Sequence, residues 1–285
     1  MKVAIVGAGG LVGSEFARKL SPHHEVLCFT HSDLDITDSE AVNRVILNSR
    51  PELIINCAVL GVDACELNPS LARSVNVAGA ENLAKAANAV AAEFVHLSSN
   101  YVFDGDRSRD STYTIKDEPL PINIYGQTKL AGERAVSGAT ERCFIIRTSW
   151  VFGAGKNNFF STALRSLRAA QKVRAITDVW ASATSVPDLV SRVMDIVALH
   201  HYSTYHVVNS GVCSYYEYAL EAARLLRIPE PDLTTLIQPV KLDDLLLRAQ
   251  RPLYTPMSCT VSAEIGLAPL RDWRAALAEY IHAGG

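Results

Sequence analysis

The sequence predicts an α/β protein with a doubly wound parallel sheet, and three observations predict it. Short apolar runs alternate with stretches of helical spacing. A glycine-rich turn separates the first run from the first helical stretch. Gly7, Ala58, Ser99 and Trp150 each fall where an apolar run ends. Apolar strands joined by helical crossovers pair in parallel, and such sheets bind ligands beyond the carboxyl ends of their strands.

The elements follow in chain order. Lys2-Val3-Ala4-Ile5-Val6 is an apolar run suited to a strand buried on both faces. Gly7-Ala8-Gly9-Gly10-Leu11-Val12-Gly13 leads from it into Ser14 to Leu20, which keeps helical spacing. Glycines at 7, 10 and 13 permit a tight turn, close approach of backbone to a pyrophosphate, and tight helix–strand packing. The N–H groups and dipole of the helix then face the phosphates. This Rossmann-like arrangement predicts a dinucleotide site at Gly7, Gly10, Leu11, Val12 and Gly13. Its GxxGxxG spacing resembles that of short-chain dehydrogenase/reductases of the extended type.

The second strand is predicted over Glu25–Phe29, ending at Thr30-His31-Ser32. An NAD site places Asp or Glu there to hold the ribose 2′-OH. None is present, and no arginine either, although Arg18 on the first helix could swing toward a 2′-phosphate. The balance favours NADPH, with NADH as the alternative, and puts His31 at the adenosine end. Asp35-Ile36-Thr37-Asp38 resembles the adenine-cupping loop of that superfamily, and it is equally suited to capping a helix from Ser39. Leu53-Ile54-Ile55-Asn56-Cys57-Ala58 predicts a third strand, Asn68 to Ala92 a helix, and Glu93 to Ser99 a fourth strand.

Tyr125 and Lys129 stand four residues apart, downstream of Ser98-Ser99-Asn100-Tyr101. On a helix such residues share a face. The lysine then favours the phenolate of a tyrosine whose free pKa is about 10, bringing it toward acid–base chemistry near neutrality. A serine hydroxyl beside that phenol can hold a carbonyl oxygen. The set reads as a device for reducing a ketone.

Cys143 to Trp150 predicts another strand, and the rhythm changes after Gly153. Helices are predicted over Asn157–Ala170, Pro187–Leu199 and Ser214–Leu226, and a strand at Tyr205–Val208. Loops and short elements are expected from Pro229 to Pro256. The chain thus divides into a dinucleotide-binding domain (1–153 plus about 186–210) and a smaller, interleaved C-terminal substrate domain (about 154–185 plus 211–285).

Composition bounds the partners. With 285 residues, 48% of them hydrophobic, the chain can bury a sizeable core. A net charge of −3 gives no basic face for nucleic acid or anionic lipid. No apolar stretch reaches the ~18 residues of a membrane span, and no signal peptide precedes the first strand, so a cytoplasmic protein is expected. The cysteines at 28, 57, 65, 143, 213 and 259 are scattered without a CxxC pair, which suits reduced thiols in a chain without a metal site.

Longer segments carry a family resemblance. Ser98-Ser99-Asn100-Tyr101-Val102-Phe103-Asp104-Gly105 resembles the STDYVFDG segment of dTDP-4-dehydrorhamnose reductases. Pro121 to Glu133 is similar to their PLNxYGxTKLAGE helix start, and Ile146 to Gly153 to their LRTSWVYG strand. Gly61 to Glu66 resembles their AVDxAE turn, and Arg251-Pro252 falls at their RP turn. The resemblance implies that Tyr125 protonates the developing alkoxide, Lys129 tunes Tyr125 and holds the nicotinamide ribose, and Ser99 hydrogen-bonds the carbonyl. It implies that Cys57, Ala58 and Val59 back the cofactor, with Asn76 in a proton relay. A sugar pocket of Val62, Asn100, Tyr101, Phe103 and Trp150 follows, with Asn158 and Phe159 toward the nucleotide. Trp150 and Phe103 also suit plain core positions, Asn76 a backbone brace, and Asp104 a turn cap with Gly105. A nucleotide-sugar substrate and a homodimer fit the same resemblance.

The departures gather around the sugar. Asn100 stands for the family's aspartate and Ser99 for its threonine. Cys57 to Gly61 and Asp178 to Thr184 differ from the family runs, the latter adding Trp180. These changes point to the same chemistry on a different nucleotide-linked keto sugar. Two other functions compete. A 4-epimerase of the superfamily would retain NAD, whereas a dehydratase lacks its Asp–Glu pair here. A non-catalytic NADP-binding regulatory subunit, like that of methionine adenosyltransferase, would show no turnover despite Ser99, Tyr125 and Lys129.

Overall fold

The computed structural model describes residues 1–109, 111–155 and 158–284. Asn157, the predicted start of a helix, lies outside them. The central sheet holds β1 (Lys2–Val6), β2 (Glu25–Phe29), β3 (Leu53–Asn56), β4 (Glu93–Ser99) and β5 (Cys143–Thr148). Thr204–His206 forms its sixth strand. The spatial order is β2-β1-β3-β4-β5 and then Thr204–His206, every pair parallel. Because β1 neighbours both β2 and β3, the winding direction reverses between β1 and β3. That reversal opens a crevice at their carboxyl ends.

The helices are α1 (Leu11–Leu20), α2 (Ser39–Ser49), α3 (Val62–Leu67), α4 (Pro69–Arg73), α5 (Ala80–Ala89), α6 (Ile124–Ala139), α7 (Phe159–Arg168), α8 (Val186–Ala198), α9 (Tyr215–Leu225), α10 (Glu230–Leu236), α11 (Thr260–Glu264) and α12 (Trp273–His282). Strand alternation distributes them. Val3, Ile5, Leu53, Ile55, Val95 and Phe144 pack on one face with Phe16 of α1 and Leu189 and Val193 of α8. Ala4, Val6, Ile54, Phe94 and Ile145 pack on the other, against Val42 and Ile46 of α2, Leu83 and Ala87 of α5, and Val136 of α6. A separate apolar cluster joins Phe160 and Leu164 of α7 to Tyr218 and Ala222 of α9, with Phe152, Trp273 and Leu277. Among the described residues no helix is long and apolar enough to cross a membrane.

The single helix predicted over 68–92 is divided. Asn68 caps α4, accepting from Leu71 N at 3.0 Å, and a π-helical turn over Ser74–Gly79 precedes α5. Asp38 caps α2 through Glu40 N and Ala41 N, both at 3.0 Å.

α6 packs tightly against the turn that follows β4 and against the π-helical turn. Asn123 caps it, accepting from Gly126 N at 2.8 Å. A Cβ at Gly126 would come within 2.0 Å of Tyr101 O, and one at Gly132 within 2.3 Å of Asn76 O, so only glycine permits these contacts. Farther along, Glu133 meets Arg147 of β5 in a bidentate pair, Nε–Oε1 2.9 Å and Nη2–Oε2 2.7 Å, and Ser98 Oγ donates to the same carboxylate. Both side chains are only 7% exposed. Removing one partner strands a buried charge, so Glu133→Ala is expected to cost about 3–5 kcal/mol in urea unfolding. Glu133→Leu combined with Arg147→Met is expected to recover most of that loss. A double variant as unstable as the single one would mean that the loss does not come from the stranded charge.

Candidate active site

The crevice between β1 and β3 widens into a cleft of about 720 Å³. Gly7, Gly10, Leu11, Val12, Gly13, His31, Asp35, Ile36, Cys57, Ala58, Val59, Tyr125 and Lys129 all line it. The glycine turn is built by contact. Gly7 has φ +81°, and a Cβ there would lie 2.7 Å from Ala58 N. A Cβ at Gly13 would lie 2.3 Å from Gly7 O. The start of α1 therefore rests on the turn that ends β1, and that turn rests on the end of β3. Gly10 caps α1 without a side chain, and no acidic residue stands in its first turn. That leaves a helix N-terminus suited to an anion.

At the end of β2 the details differ from those predicted. Arg18 lies in the last turn of α1, roughly 10 Å of helix beyond the glycine turn, and pairs with Glu15 at 2.6 Å. It is therefore not placed for a 2′-phosphate. His31 is the basic side chain on this wall, and exposed Asp35 accepts from Thr37 N at 2.9 Å. Asp33, which the sequence did not single out, turns back to accept from the Thr30 hydroxyl at 2.6 Å and Thr30 N at 2.8 Å.

Ser99 ends β4, and the first turn of α6 brings Tyr125 to it. The Tyr125 phenol stands beside Ser99, whose hydroxyl favours its ionised form, and its ring meets Tyr101 edge-on at 5.5 Å. Burial pushes Tyr125 up to about 12, while the Ser99 hydroxyl lowers it and the nearby Tyr101 and Cys65 raise it. Tyr125 is therefore a protonated phenol throughout the neutral range. The predicted pull of Lys129 toward the phenolate is not what sets it. Lys129 Nζ instead donates to Leu97 O at 2.5 Å. Burial brings Lys129 down to about 8, opposed chiefly by the charge of Glu133. Cys57 is pushed up to about 12 by burial, which leaves an inert thiol on the cleft wall.

Several predicted contacts are redrawn. Phe103 is fully buried, not in a sugar pocket: it stacks on Tyr113 at 4.2 Å, with the Arg147 guanidinium over its ring at 5.4 Å. Asn100 is also buried behind the cleft; it accepts from Ser99 Oγ at 3.2 Å and donates to Thr255 Oγ1 at 2.7 Å. Asn76 braces the loop after β3 rather than lining the cleft. It accepts from Leu60 N at 2.8 Å and donates to Thr128 Oγ1 at 3.1 Å. Asn158 lines the cleft, but its amide caps α7, accepting from Ser161 N at 3.0 Å, and donates to Val151 O at 3.1 Å. Asp104 accepts from the Tyr113 hydroxyl at 2.5 Å and from Asp106 N at 3.1 Å, in keeping with a turn cap.

Trp150 adopts φ +41° at the end of β5 and stacks on Tyr215 at 3.9 Å, and Phe159 meets the same ring at 4.8 Å. Tyr215 escaped the sequence analysis because α9 lies more than sixty residues downstream. Half-buried Val62 opens α3. That helix ties down two neighbours: Asp63 pairs with Arg251 at 2.7 Å, and Glu66 accepts from Ile124 N at 2.8 Å. Asn56 and His96 were also missed, although a polar residue inside an otherwise apolar strand is a legible signal.

Comparison with known proteins agrees with this geometry. The sequence model described as RmlD substrate binding domain matches residues 1–284. A dTDP-4-dehydrorhamnose reductase of Mycolicibacterium smegmatis is 39% identical, over 99% of this chain and 85% of that protein. A dTDP-4-keto-6-deoxy-D-glucose reductase of Streptomyces niveus is 33% identical, over 96% and 94%. Among solved structures, a dTDP-4-dehydrorhamnose reductase of Bacillus anthracis in complex with NADP superposes with a TM-score of 0.93 at 33% identity, over 99% of each chain. A UDP-glucose 4-epimerase of Thermus thermophilus, 18% identical with a TM-score of 0.80, shares the fold alone. With a match over nearly its whole length, the chain belongs to the RmlD substrate binding domain family.

Proposed function

We propose that this protein reduces the 4-keto group of a nucleotide-linked 4-keto-6-deoxy sugar, with NADPH as reductant and Tyr125 as proton donor. The observation that carries the reading is that Tyr125, beside Ser99, and Lys129 share the wall of a cleft whose floor is a glycine cradle. The cradle fits a dinucleotide, because Gly7 and Gly13 leave no room for a side chain and α1 opens toward the cleft uncapped. Gly7, Gly10, Leu11, Val12 and Gly13 would hold the pyrophosphate. His31, Asp35 and Ile36 would hold the adenosine end. Cys57, Ala58 and Val59 would back the cofactor, with Lys129 at the nicotinamide ribose. The names of the relatives, and NADP in the Bacillus anthracis structure, support the same choice. When bound, the nicotinamide supplies the hydride.

The chain's own groups handle the proton and the orientation. Tyr125 holds its proton across neutral pH and gives it to the oxygen as negative charge develops there. The Ser99 hydroxyl, steadied by Asn100 and Tyr101 N, orients that oxygen beside the phenol. Trp150, Phe159 and Tyr215 form an aromatic cluster, stacked and edge-on, that would border the nucleotide sugar. Trp180 lies in a short strand between Cys213–Ser214 and Tyr254–Thr255, beneath the Arg109 guanidinium at 4.9 Å. Thr255 of that strand backs Asn100. Ser99, Asn100 and Trp180, three of the departures, are thus linked through the Tyr254–Thr255 strand, in keeping with a keto sugar other than dTDP-4-dehydrorhamnose.

NADPH and NADH oxidation with a panel of nucleotide-linked 4-keto-6-deoxy sugars tests the reading. Turnover is expected with NADPH, and Tyr125→Phe is expected to lower kcat by about 10²–10⁴ while NADPH binding persists. No turnover with any sugar would overturn the reductase reading; turnover with dTDP-4-dehydrorhamnose alone would overturn the choice of sugar.

Lys129 gives a pH prediction. Its folded pKa, about 8, lies below the ordinary 10.5, so between these values the unfolded chain binds a proton that the native chain does not. Stability then rises with pH across that window, and the full cost of the buried ammonium is felt below about 8. Lys129→Met is expected to stabilise the fold at pH 7 by roughly 1–3 kcal/mol, a gain that shrinks toward pH 10. Urea unfolding at the two pH values checks the sign.

A further inference from the structure

Asn56 and His96 face each other in the β3–β4 register, each only 1% exposed, and the mechanism above uses neither. Asn56 Oδ1 accepts from Ala58 N at 3.1 Å, which fixes the amide and turns its NH₂ toward His96 Nδ1 at 3.2 Å. An amide NH₂ only donates, so Nδ1 is the acceptor and the neutral ring carries its proton on Nε2. His96 Nε2 lies 3.4 Å from Lys129 Nζ.

We propose that Asn56 and His96 are a positioning pair for Lys129, presenting a ring N–H where the other tautomer would offer a lone pair to its ammonium. With the ammonium, two donors confront each other. With the neutral amine, Nε2–H finds the Nζ lone pair as its acceptor. The pair thus favours release of the lysine proton, as burial does, while burial and Lys129 itself keep the imidazole uncharged. The remaining groups that face Lys129 lean the other way: Glu133 on its own helix, Cys57 just past β3, and Cys65 on α3. Glu133 is itself engaged by Arg147 of β5. The amide that selects the tautomer also holds Ala58 N, so with the neutral amine one chain of hydrogen bonds joins the cleft wall to Lys129. The pair's part in turnover rests on the reductase reading; the tautomer does not.

Two-bond ¹⁵N–¹H spectra of the full-length protein, with His96→Gln to assign the signals, read the ring directly. A proton on Nε2 is expected, and a proton on Nδ1 overturns the proposal. Asn56→Asp keeps the shape and the acceptor for Ala58 N but accepts from Nδ1–H, so the ring proton is expected to move to Nδ1. The titration midpoint of Lys129, followed by ¹³C NMR of Cε-labelled lysine with Lys129→Met for assignment, is then expected to rise by roughly one pH unit. A midpoint that stays put overturns the proposal. In turnover, the alkaline limb of kcat/KM is expected to follow that midpoint while KM for NADPH holds within about twofold. Wild-type protein with the predicted tautomer but no sugar reduction would remove the reductase reading alone.

Discussion

The seat of α6 on the end of β4 governs the rest of the site. Its first turn touches Tyr101 O through Gly126, where any side chain would overlap the carbonyl. Its third turn is fastened from beneath by Glu133, Arg147 and Ser98. Held at both points, the helix cannot slide or lift without stranding a charge or colliding with backbone. Tyr125 therefore meets Ser99 by construction. Such preorganisation suits a group that must deliver a proton without searching for its acceptor.

A second close contact governs the other end of the cleft. Gly7 lies against Ala58 and Cys57, so the glycine turn and the end of β3 form one packed unit. Through Asn56 and His96 that unit reaches Lys129, and through Asn76 and Thr128 it reaches α6 again. The two ends of the cleft are thus bridged by buried polar side chains that leave few of their hydrogen-bonding groups unmatched.

Much of this was legible in the sequence. The doubly wound sheet followed from apolar runs of strand length, and the glycine turn from its position between a strand and a helix. Ser99, Tyr125 and Lys129 could be named because the four-residue helical spacing and the strand end are local features. What escaped were properties of packing. Phe103 reads the same in core or pocket, since an aromatic side chain serves either, and only the ring of Tyr113 decides. Asn100 looks like a pocket residue until Thr255, far along the chain, claims its amide. Tyr215 and Arg251 reach the site from elements whose periodicity carries no trace of that destination. The charge of Lys129 was legible, but not its burial, nor that burial of the phenol rather than the lysine would set Tyr125.

The π-helical turn at Ser74–Gly79 carries a consequence for how this chain can change. A π turn holds one residue more than the α-helix around it, and each residue advances a helix by about 100°. Deleting a single residue here would leave an unbroken α-helix from Pro69 to Ala89, favourable in its local hydrogen bonds. It would also rotate the elements before and after the deletion relative to each other by that angle, carrying Asn76 away from Leu60 and Thr128. The turn thus acts as a phase-setter, and its extra residue is tolerated for the direction in which it aims one amide.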